Sequence, residues 1–366
     1  MLIHTEAHRP QLNPELGTES PYRVLYHVIN ATIHNIPQLT YCTHATPEFL
    51  FQFSEIVRFW DGPISLTVFV PQSDAQIAIS YLIQICDCLP QMYKVSVHFV
   101  FPVNNFANKY QQLHLQQQTN ECLVPASYNK IVTYRNKKSL EYPVNVARNI
   151  ARLGAKTQYV LVSDVELIPS DGLAYKFINM LNRLRFKHDG QFSTRYVFVV
   201  PVFEVEESEK VPRTKFTLQQ MYANNKAIYF HRWICMHCQR FPGLQKWLSK
   251  SSNPDIIKPL VVVKREYPYH RWEPIFIGTN QDPLYSETLS WEGLQDKMTQ
   301  MLEMCFLKYR FVILDNAFLV HIPGIKRRTN NSIWRRPYQR QNAKAYTIIL
   351  KQLANKYEKN QRCRLQ

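Results

Sequence analysis

Segments typical of β-strands alternate with segments typical of helices along most of this chain, and this order limits the possible folds more than any other feature. Strand segments rich in Val, Ile, Phe and Tyr occur at residues 22–33, 64–70, 94–101, 159–164 and 195–205. Residues 73–89 and 143–155 instead have the spacing and boundary residues of helices. Strands alternating with helices form largely parallel sheets covered on both faces. The sequence therefore predicts an α/β fold with a mostly parallel central sheet flanked by helices.

Composition and pattern together predict one large domain with an extension at each end. A chain of 366 residues that is 45% hydrophobic can bury a sizeable core. We expect an N-terminal extension at residues 1–20, the domain at residues 21–325, and a basic, helical C-terminal extension at residues 326–366. No stretch has the roughly 18 apolar residues of a membrane span. We therefore expect membrane contact only through an N-terminal anchor that this sequence does not contain.

The formal net charge of +16 favours anionic partners. Nucleic acid, an acidic glycan, a phosphorylated small molecule and a membrane surface all fit that charge. Much of the excess lies in the C-terminal extension, so a solvated basic segment is an equally good interpretation. A nucleic-acid-binding protein lacks the support of a clustered recognition motif here, and we expect no nucleic-acid partner.

Two carboxylates follow the strand predicted at residues 159–164. In open α/β sheets, ligands bind beyond the carboxyl ends of the strands. Side chains two residues apart in an extended chain point the same way, so Asp164 and Glu166 can converge. A hard divalent cation, Mg²⁺ or Mn²⁺, suits such a pair. The alternative is that Asp164 only caps the turn that follows.

The pair Cys235 and Cys238 has the CxxC spacing of half a zinc site, but the chain contains no second CxxC. Disulfides or buried free thiols are therefore the favoured interpretation of its eight cysteines.

Five ordered motifs together resemble glycosyltransferase family 49, which includes glucuronyltransferases. They are YPVNVARNIAR (142–152), YVLVSDVELIPSDGL (159–173), YVFVVPVFEV (196–205), WEPIFIG (272–278) and YRFVILDNAFLVHIPGIK (309–326). The resemblance implies a GT-A fold, a nucleotide-sugar donor, Mn²⁺, inverting transfer and a type II membrane protein of the Golgi lumen.

The resemblance also assigns metal ligands. Asp164 and Glu166 occupy the D-x-D position of the family, where the first acid faces both ribose and metal and the second binds the metal. The family usually has Asp at the second place, so Glu166 is a departure. His321 matches a late histidine that brings a nitrogen ligand to the ion, and nitrogen favours Mn²⁺ over Mg²⁺. As a lone residue, His321 would be read as a packed or capping side chain.

Donor contacts are expected from the NVARN segment. Asn145, Arg148 and Asn149 lie three or four apart and share a helix face. The guanidinium of Arg148 suits a phosphate or a carboxylate, whereas an exposed polar face is the alternative for Asn149. Glu204 in the third motif either contacts the acceptor or ends its strand.

The catalytic base is expected between the last two motifs. Inverting enzymes of the GT-A type take their base from an acid at the start of a helix in this region. Asp296 and Glu292 are the available carboxylates, and Asp296 is preferred because a helical pattern follows it. Helix capping is the alternative role for Asp296.

The sequence therefore predicts a Mn²⁺-dependent inverting glycosyltransferase. The first donor is UDP-glucuronate, and the acceptor is a glycan or glycoprotein, in protein O-glycosylation of the O-mannosyl type. UDP-xylose and UDP-N-acetylglucosamine are alternative donors. A catalytically inactive, glycan-binding relative is the alternative from another class, motivated by Glu166.

Overall fold

The computed structural model describes residues 21–32, 37–105, 131–187, 195–322, 324–327, 333–358 and 360–363. The N-terminal extension predicted at residues 1–20 lies outside them. The strands are β1 Tyr22–Ile29, β2 Leu39–Ala45, β3 Ile64–Phe69, β4 Val95–Pro102, β5 Tyr159–Val162, β6 Leu167–Pro169, β7 Tyr196–Val199, β8 Val202–Val205, β9 Ala227–Tyr229, β10 Lys258–Val263, β11 Phe276–Gly278, β12 Arg310–Asp315 and β13 Leu319–His321. The α-helices are α1 Leu50–Phe59, α2 Asp74–Cys88, α3 Tyr134–Lys138, α4 Val144–Leu153, α5 Leu173–Lys187, α6 Lys215–Ala223, α7 Met236–Gln239, α8 Leu244–Ser249, α9 Met298–Phe306 and α10 Arg336–Lys356.

The described strands form a large sheet of nine strands in the order β1-β4-β3-β2-β5-β11-β7-β12-β10. Strands β4, β3, β2 and β5 are all parallel to one another, as the strand–helix alternation predicts. Beyond β5 the direction changes, because β11 pairs antiparallel with both β5 and β7. The α/β class with a sheet flanked by helices is therefore confirmed, with parallel pairing concentrated in the first half.

A second, four-stranded sheet has the order β6-β13-β8-β9. The single strand predicted at residues 195–205 is wrong, because this segment is divided between the two sheets. Strand β7 lies in the large sheet and β8 in the small one, with Val200 and Pro201 between them. Pro201 has no N–H with which to continue a ladder, and its carbonyl oxygen accepts a hydrogen bond from Leu319 N at 2.8 Å.

Helix α4 packs against β2 and β3 beside the parallel part of the sheet. Its apolar side, including Val146 and Ile150, belongs to the core, as its helical periodicity predicts. Its polar residues are buried too, since Asn145, Arg148 and Asn149 are each at most 3% exposed. Buried polar side chains need partners, and those partners define the candidate site.

The predicted C-terminal helix corresponds to α10, which packs against α9. Lys356 Nζ lies 2.8 Å from Glu303 Oε1, and the hydroxyl of Tyr357 donates to the same oxygen at 2.7 Å. A disulfide joins Cys305 of α9 to Cys363. The described part of the basic extension is thus attached to the domain.

None of the helices in the described ranges combines the length and apolar character that crossing a membrane requires.

Removing the Cys305–Cys363 disulfide should destabilise the fold more than removing Cys235–Cys238. The first joins residues 58 apart and the second residues only 3 apart, and a longer closed loop restricts the unfolded chain more. We expect the Cys305→Ser/Cys363→Ser variant to lose about 2–4 kcal/mol of unfolding free energy in urea titrations. Cys235→Ser/Cys238→Ser is the matched control and should lose less. Equal losses in the two variants would contradict the loop-length argument.

Candidate active site

The candidate site begins where β2 and β5 end side by side. Their parallel register pairs Cys42 with Val162, so His44 and Asp164, two residues further along each strand, lie next to each other. His44 Nε2 is 3.2 Å from Asp164 Oδ1, and His44 Nδ1 is 2.7 Å from the Tyr142 hydroxyl. Burial lowers the pKa of His44, which favours a neutral imidazole. His44 was not predicted, although the register of two neighbouring strands would have indicated it.

The guanidinium of Arg148 joins two of the predicted site residues. Its Nη2 donates to Asp164 Oδ1 at 3.1 Å, and its Nη1 contacts Asp296 Oδ2. The same Nη1 donates to Asn145 Oδ1 at 2.9 Å, which fixes the side chain on its own helix. Arg148 therefore brings together two acids that are far apart in sequence.

Lys297 adds a second positive charge to this group. Burial raises the pKa of Asp164, but the charges of Lys297 and Arg148 outweigh it and hold that pKa well below its usual value. Burial also raises the pKa of Asp296, but the charges of Arg148 and Lys297 outweigh it and lower that pKa overall. Both acids are therefore carboxylates at neutral pH, and Lys297 is a further residue that the motifs did not indicate.

Glu166 and His321 form a second pair. The antiparallel pairing of β13 with β6 places His321 opposite Leu167, and Ile322 N donates to Glu166 O at 3.0 Å. His321 Nε2 is consequently 2.9 Å from Glu166 Oε2, while Lys326 Nζ lies 3.5 Å from that oxygen. Burial raises the pKa of Glu166, but the hydrogen bond with His321 and the charge of Lys326 lower it overall.

The second pair offers two ligand atoms to a divalent cation. Without an ion, His321 Nε2 and Glu166 Oε2 share a hydrogen bond. With its proton on Nδ1 instead, which is 3.3 Å from Gly324 O, His321 would offer the lone pair of Nε2 beside Glu166. A nitrogen and a carboxylate oxygen then converge as two electron donors, which a cation between them would stabilise. Asp164 Oδ1 contacts Arg148 Nη2 and His44 Nε2. Among the described residues, only Cys235, His237 and Cys238 bring three possible ligand atoms within 4.8 Å of one another.

The amides of Asn145 and Asn149 hold the loop that contains Asp296. Asn145 Nδ2 donates to the carbonyl oxygens of Ser286 and Asp296, at 2.7 and 2.8 Å. Asn149 accepts from Tyr285 N at 3.0 Å and donates to Tyr285 O at 2.9 Å. Both side chains are buried, so the structure gives them a positioning role and leaves their amides little surface for direct contact with a donor.

The two candidate bases have different surroundings. Glu292 Oε1 accepts from Arg135 Nη2 at 2.9 Å and from Tyr142 N at 3.0 Å, and Glu292 is 4% exposed. Asp296 is partly exposed and lies two residues before α9, which begins at Met298. Asp296 therefore belongs to the cluster around Arg148, whereas Glu292 has a structural role through its bonds with Arg135 and Tyr142 N.

Glu204 is fully buried at the end of β8 and supports the second pair. It accepts hydrogen bonds from the backbone N–H groups of His231 and Lys326, each at 3.2 Å. Of the two roles considered for Glu204, contact with the acceptor and a structural role at the end of its strand, these hydrogen bonds match the structural one. Glu204 thereby holds the segment from which Lys326 reaches Glu166.

The preference for disulfides over zinc is confirmed for the CxxC pair, because Cys235 and Cys238 are joined by a disulfide. Cys42 is a buried free thiol.

Comparison with known proteins identifies the family. The model of the family described as "Glycosyl-transferase for dystroglycan" matches residues 38–358. The chain belongs to this glycosyltransferase family. The α/β fold described above is the one that the resemblance implied. The family match also extends through α10 and so into the predicted C-terminal extension.

Several similar proteins carry glucuronyltransferase names. Beta-1,4-glucuronyltransferase 1 of Danio rerio is 29% identical over 297 residues, which cover 77% of this chain and 66% of the relative. The Homo sapiens protein of that name is 27% identical, covering 84% of this chain and 72% of its own length. Xylosyl- and glucuronyltransferase LARGE1 of Homo sapiens is 24% identical, and the match covers 73% of this chain but only 29% of LARGE1. The chain thus spans slightly less than two thirds of the Danio rerio relative.

Among solved structures, S. aureus TarS is similar over 88% of this chain and 40% of its own, with 9% identity and a TM-score of 0.38. A similarity this low carries no argument about the fold or the function.

Proposed function

We propose that this glycosyltransferase is an inverting glucuronyltransferase that uses UDP-glucuronate, Mn²⁺ and a glycan acceptor. The observation that carries the proposal is that the Arg148 guanidinium contacts both Asp164 and Asp296. Glu166, two residues after Asp164, is paired with His321. The relatives' names support glucuronate as the sugar. An O-mannosyl glycan as acceptor and the Golgi lumen as location belong to the same proposal.

The residues divide into a donor side and an acceptor side. Glu166 and His321 would hold Mn²⁺, and Asp164 would face both the metal and the ribose. When bound, the ion supplies positive charge that stabilises the leaving diphosphate. Arg148 and Lys297 supply further positive charge beside Asp164, which suits a donor with a diphosphate and a carboxylate.

Asp296 would act as the base. Its Oδ2 contacts Arg148, and its other oxygen would take the proton of the acceptor hydroxyl. The acceptor oxygen then forms its bond to the anomeric carbon while the bond from that carbon to the phosphate oxygen breaks on the opposite face. UDP leaves and the configuration at the anomeric carbon is inverted.

A panel of UDP-sugars tests the proposal. The full chain is incubated with Mn²⁺ and UDP-glucuronate, UDP-xylose or UDP-N-acetylglucosamine, and UDP release is measured with and without glycan acceptors. Acceptor-dependent release from UDP-glucuronate is the expected result. Selective release from another donor would overturn the choice of sugar, and donor binding without transfer to any acceptor would favour an inactive, glycan-binding relative.

His321→Ala should weaken Mn²⁺ binding by at least about 10- to 100-fold, the loss seen when an outer partner of a metal is removed. The physical reason is the loss of the nitrogen that lies 2.9 Å from Glu166 Oε2. Mn²⁺ is titrated against UDP binding by calorimetry. His237→Ala is the matched control and should titrate like the parent, because His237 is exposed on α7 and the two sulfurs beside it are joined in the Cys235–Cys238 disulfide. An unchanged titration in His321→Ala would remove His321 from the metal site.

A further inference from the structure

Exposed aromatic rings lie beside the loop that contains the candidate base. The guanidinium carbon of Arg335 is 4.1 Å from the ring centroid of Trp291 and 4.7 Å from that of Trp334. The two tryptophan centroids are 6.5 Å apart, and Tyr338 meets Trp334 edge-on at 6.2 Å. We call Trp291, Trp334, Arg335 and Tyr338 the aromatic platform.

Hydrogen bonds fix the platform to that loop. Arg335 Nη1 donates to the carbonyl oxygens of Trp291 and Glu292, each at 3.2 Å. Asn342 of α10 accepts from Ser290 N at 3.1 Å and donates to Leu294 O at 3.0 Å. Since both sides of the platform are held before any ligand arrives, binding there costs little ordering of side chains.

The rings of the platform are open to solvent. Trp291 is 44% exposed and Trp334 is 51% exposed. Clustered exposed apolar side chains mark interaction sites more often than single ones do. The faces of aromatic rings are electron-rich, so they attract the weakly positive C–H groups on the faces of sugar rings.

The surrounding charge is positive. Residues 324–363 contain eleven lysines and arginines and a single acidic residue, Glu358. Arg336 and Arg340, both exposed, follow the platform on α10. A partner of the platform is therefore expected to carry negative charge as well as apolar faces.

We propose that the aromatic platform binds the glycan acceptor, with sugar rings stacked on Trp291 and Trp334 and the carboxylates of an acidic sugar beside Arg335 and Arg336. The identity of this ligand rests on the proposed function. A glycan is a better fit than a membrane surface, because interfacial membrane binding uses a continuous apolar helix face, whereas the platform has two large rings with a cation between them. Trp291 also lies five residues before Asp296 in the sequence, so a chain held on the platform is held by the loop of the candidate base.

Direct binding to oligosaccharides tests the proposal without requiring transfer. The full chain is titrated by calorimetry with a hyaluronan hexasaccharide, which is acidic, and with chitohexaose, which has the same length and no charge. We expect tighter binding of the hyaluronan probe by the parent. The Trp291→Ala/Trp334→Ala variant should bind it about tenfold more weakly, as expected when central aromatic contacts are removed.

Trp233 offers a matched control. Its ring is 50% exposed and lies 4.8 Å from the guanidinium carbon of Arg232, so Trp233→Ala removes the same kind of pair on a different loop. This variant should bind the hyaluronan probe like the parent. The single variant Trp334→Ala, at an exposed ring, provides a second test should the double variant fail to fold by circular dichroism.

The outcomes separate this inference from the proposed function. Parent-like binding of hyaluronan by the folded platform variants would overturn the inference even where glucuronyl transfer is observed. Loss of binding in those variants would support it even where the donor panel shows no transfer. Platform-dependent binding to phosphatidylserine vesicles, with no binding to either oligosaccharide, would overturn it in favour of a membrane surface.

Discussion

Asp164→Asn is expected to abolish Mn²⁺-dependent binding of UDP and, with it, glycosyl transfer. The substitution removes one negative charge where the metal and the ribose would meet. It retains an oxygen that can accept the hydrogen bond from Arg148 Nη2, which is 3.1 Å long in the parent, so the buried guanidinium keeps its partner. Losing an outer partner of a metal already costs about 10- to 100-fold in affinity, and we expect the loss of a ligand to cost more. Calorimetric titration of UDP in Mn²⁺ measures the effect.

Asp171→Asn is the control for this prediction. Asp171 belongs to the turn that precedes α5 and its side chain is 70% exposed, so its substitution changes the net charge equally without entering the site. It should bind UDP like the parent. Parent-like binding by Asp164→Asn would show that this carboxylate is not a ligand and that its contacts with Arg148 and His44 are its whole role.

The fold class is predictable from this sequence because parallel strands buried on both faces need continuous apolar runs. Strand β5 is such a run, β3 and β4 are largely apolar with two polar residues each, and all three overlap the segments predicted for them. The division of residues 195–205 into β7 and β8 is not predictable in this way, because both halves are equally apolar. Only the positions of Ile275 and Leu319, whose backbones bond to Val200 and Pro201, decide where each half pairs.

The candidate site is predictable where a residue carries its own signal. Asp164 follows a strand, and Arg148 and Asn149 share a helix face with Asn145. The burial of all three helix residues was not indicated, since a polar helix face is usually exposed. Their partners are loop carbonyls and the carboxylates of Asp164 and Asp296, which only the folded chain brings near.

The structure shows what the longer side chain of Glu166 contacts, at the position where the family usually has Asp. Glutamate has one methylene more than the aspartate usual in the family, and its Oε2 reaches His321 Nε2 at 2.9 Å. Lys326 reaches the same oxygen because Glu204 binds its backbone N–H. None of these contacts follows from the spacing of the motifs, since Glu166, Glu204 and Lys326 come together only through the pairing of β13 with β6 and β8.

Asp296→Asn should separate binding from chemistry. An asparagine oxygen can still accept from Arg148, so the position of Asp164 and the affinity for UDP in Mn²⁺ should change little. The acceptor hydroxyl, however, loses the group that takes its proton. We expect turnover with UDP-glucuronate to fall by roughly 10²- to 10⁴-fold, the usual contribution of a positioned base.

Glu292→Gln provides the comparison that decides between the two candidate carboxylates. Glu292 is buried against Arg135 and Tyr142 N, so its variant should lose stability, because the Arg135 guanidinium keeps only the longer of its two ion pairs, the 3.5 Å contact with Glu48. Its turnover per folded molecule should stay near that of the parent. The reverse pattern, with normal turnover in Asp296→Asn and none in folded Glu292→Gln, would make Glu292 the base. A joint loss of UDP affinity and turnover in Asp296→Asn would instead show that Asp296 acts through Arg148, as a positioning residue for Asp164.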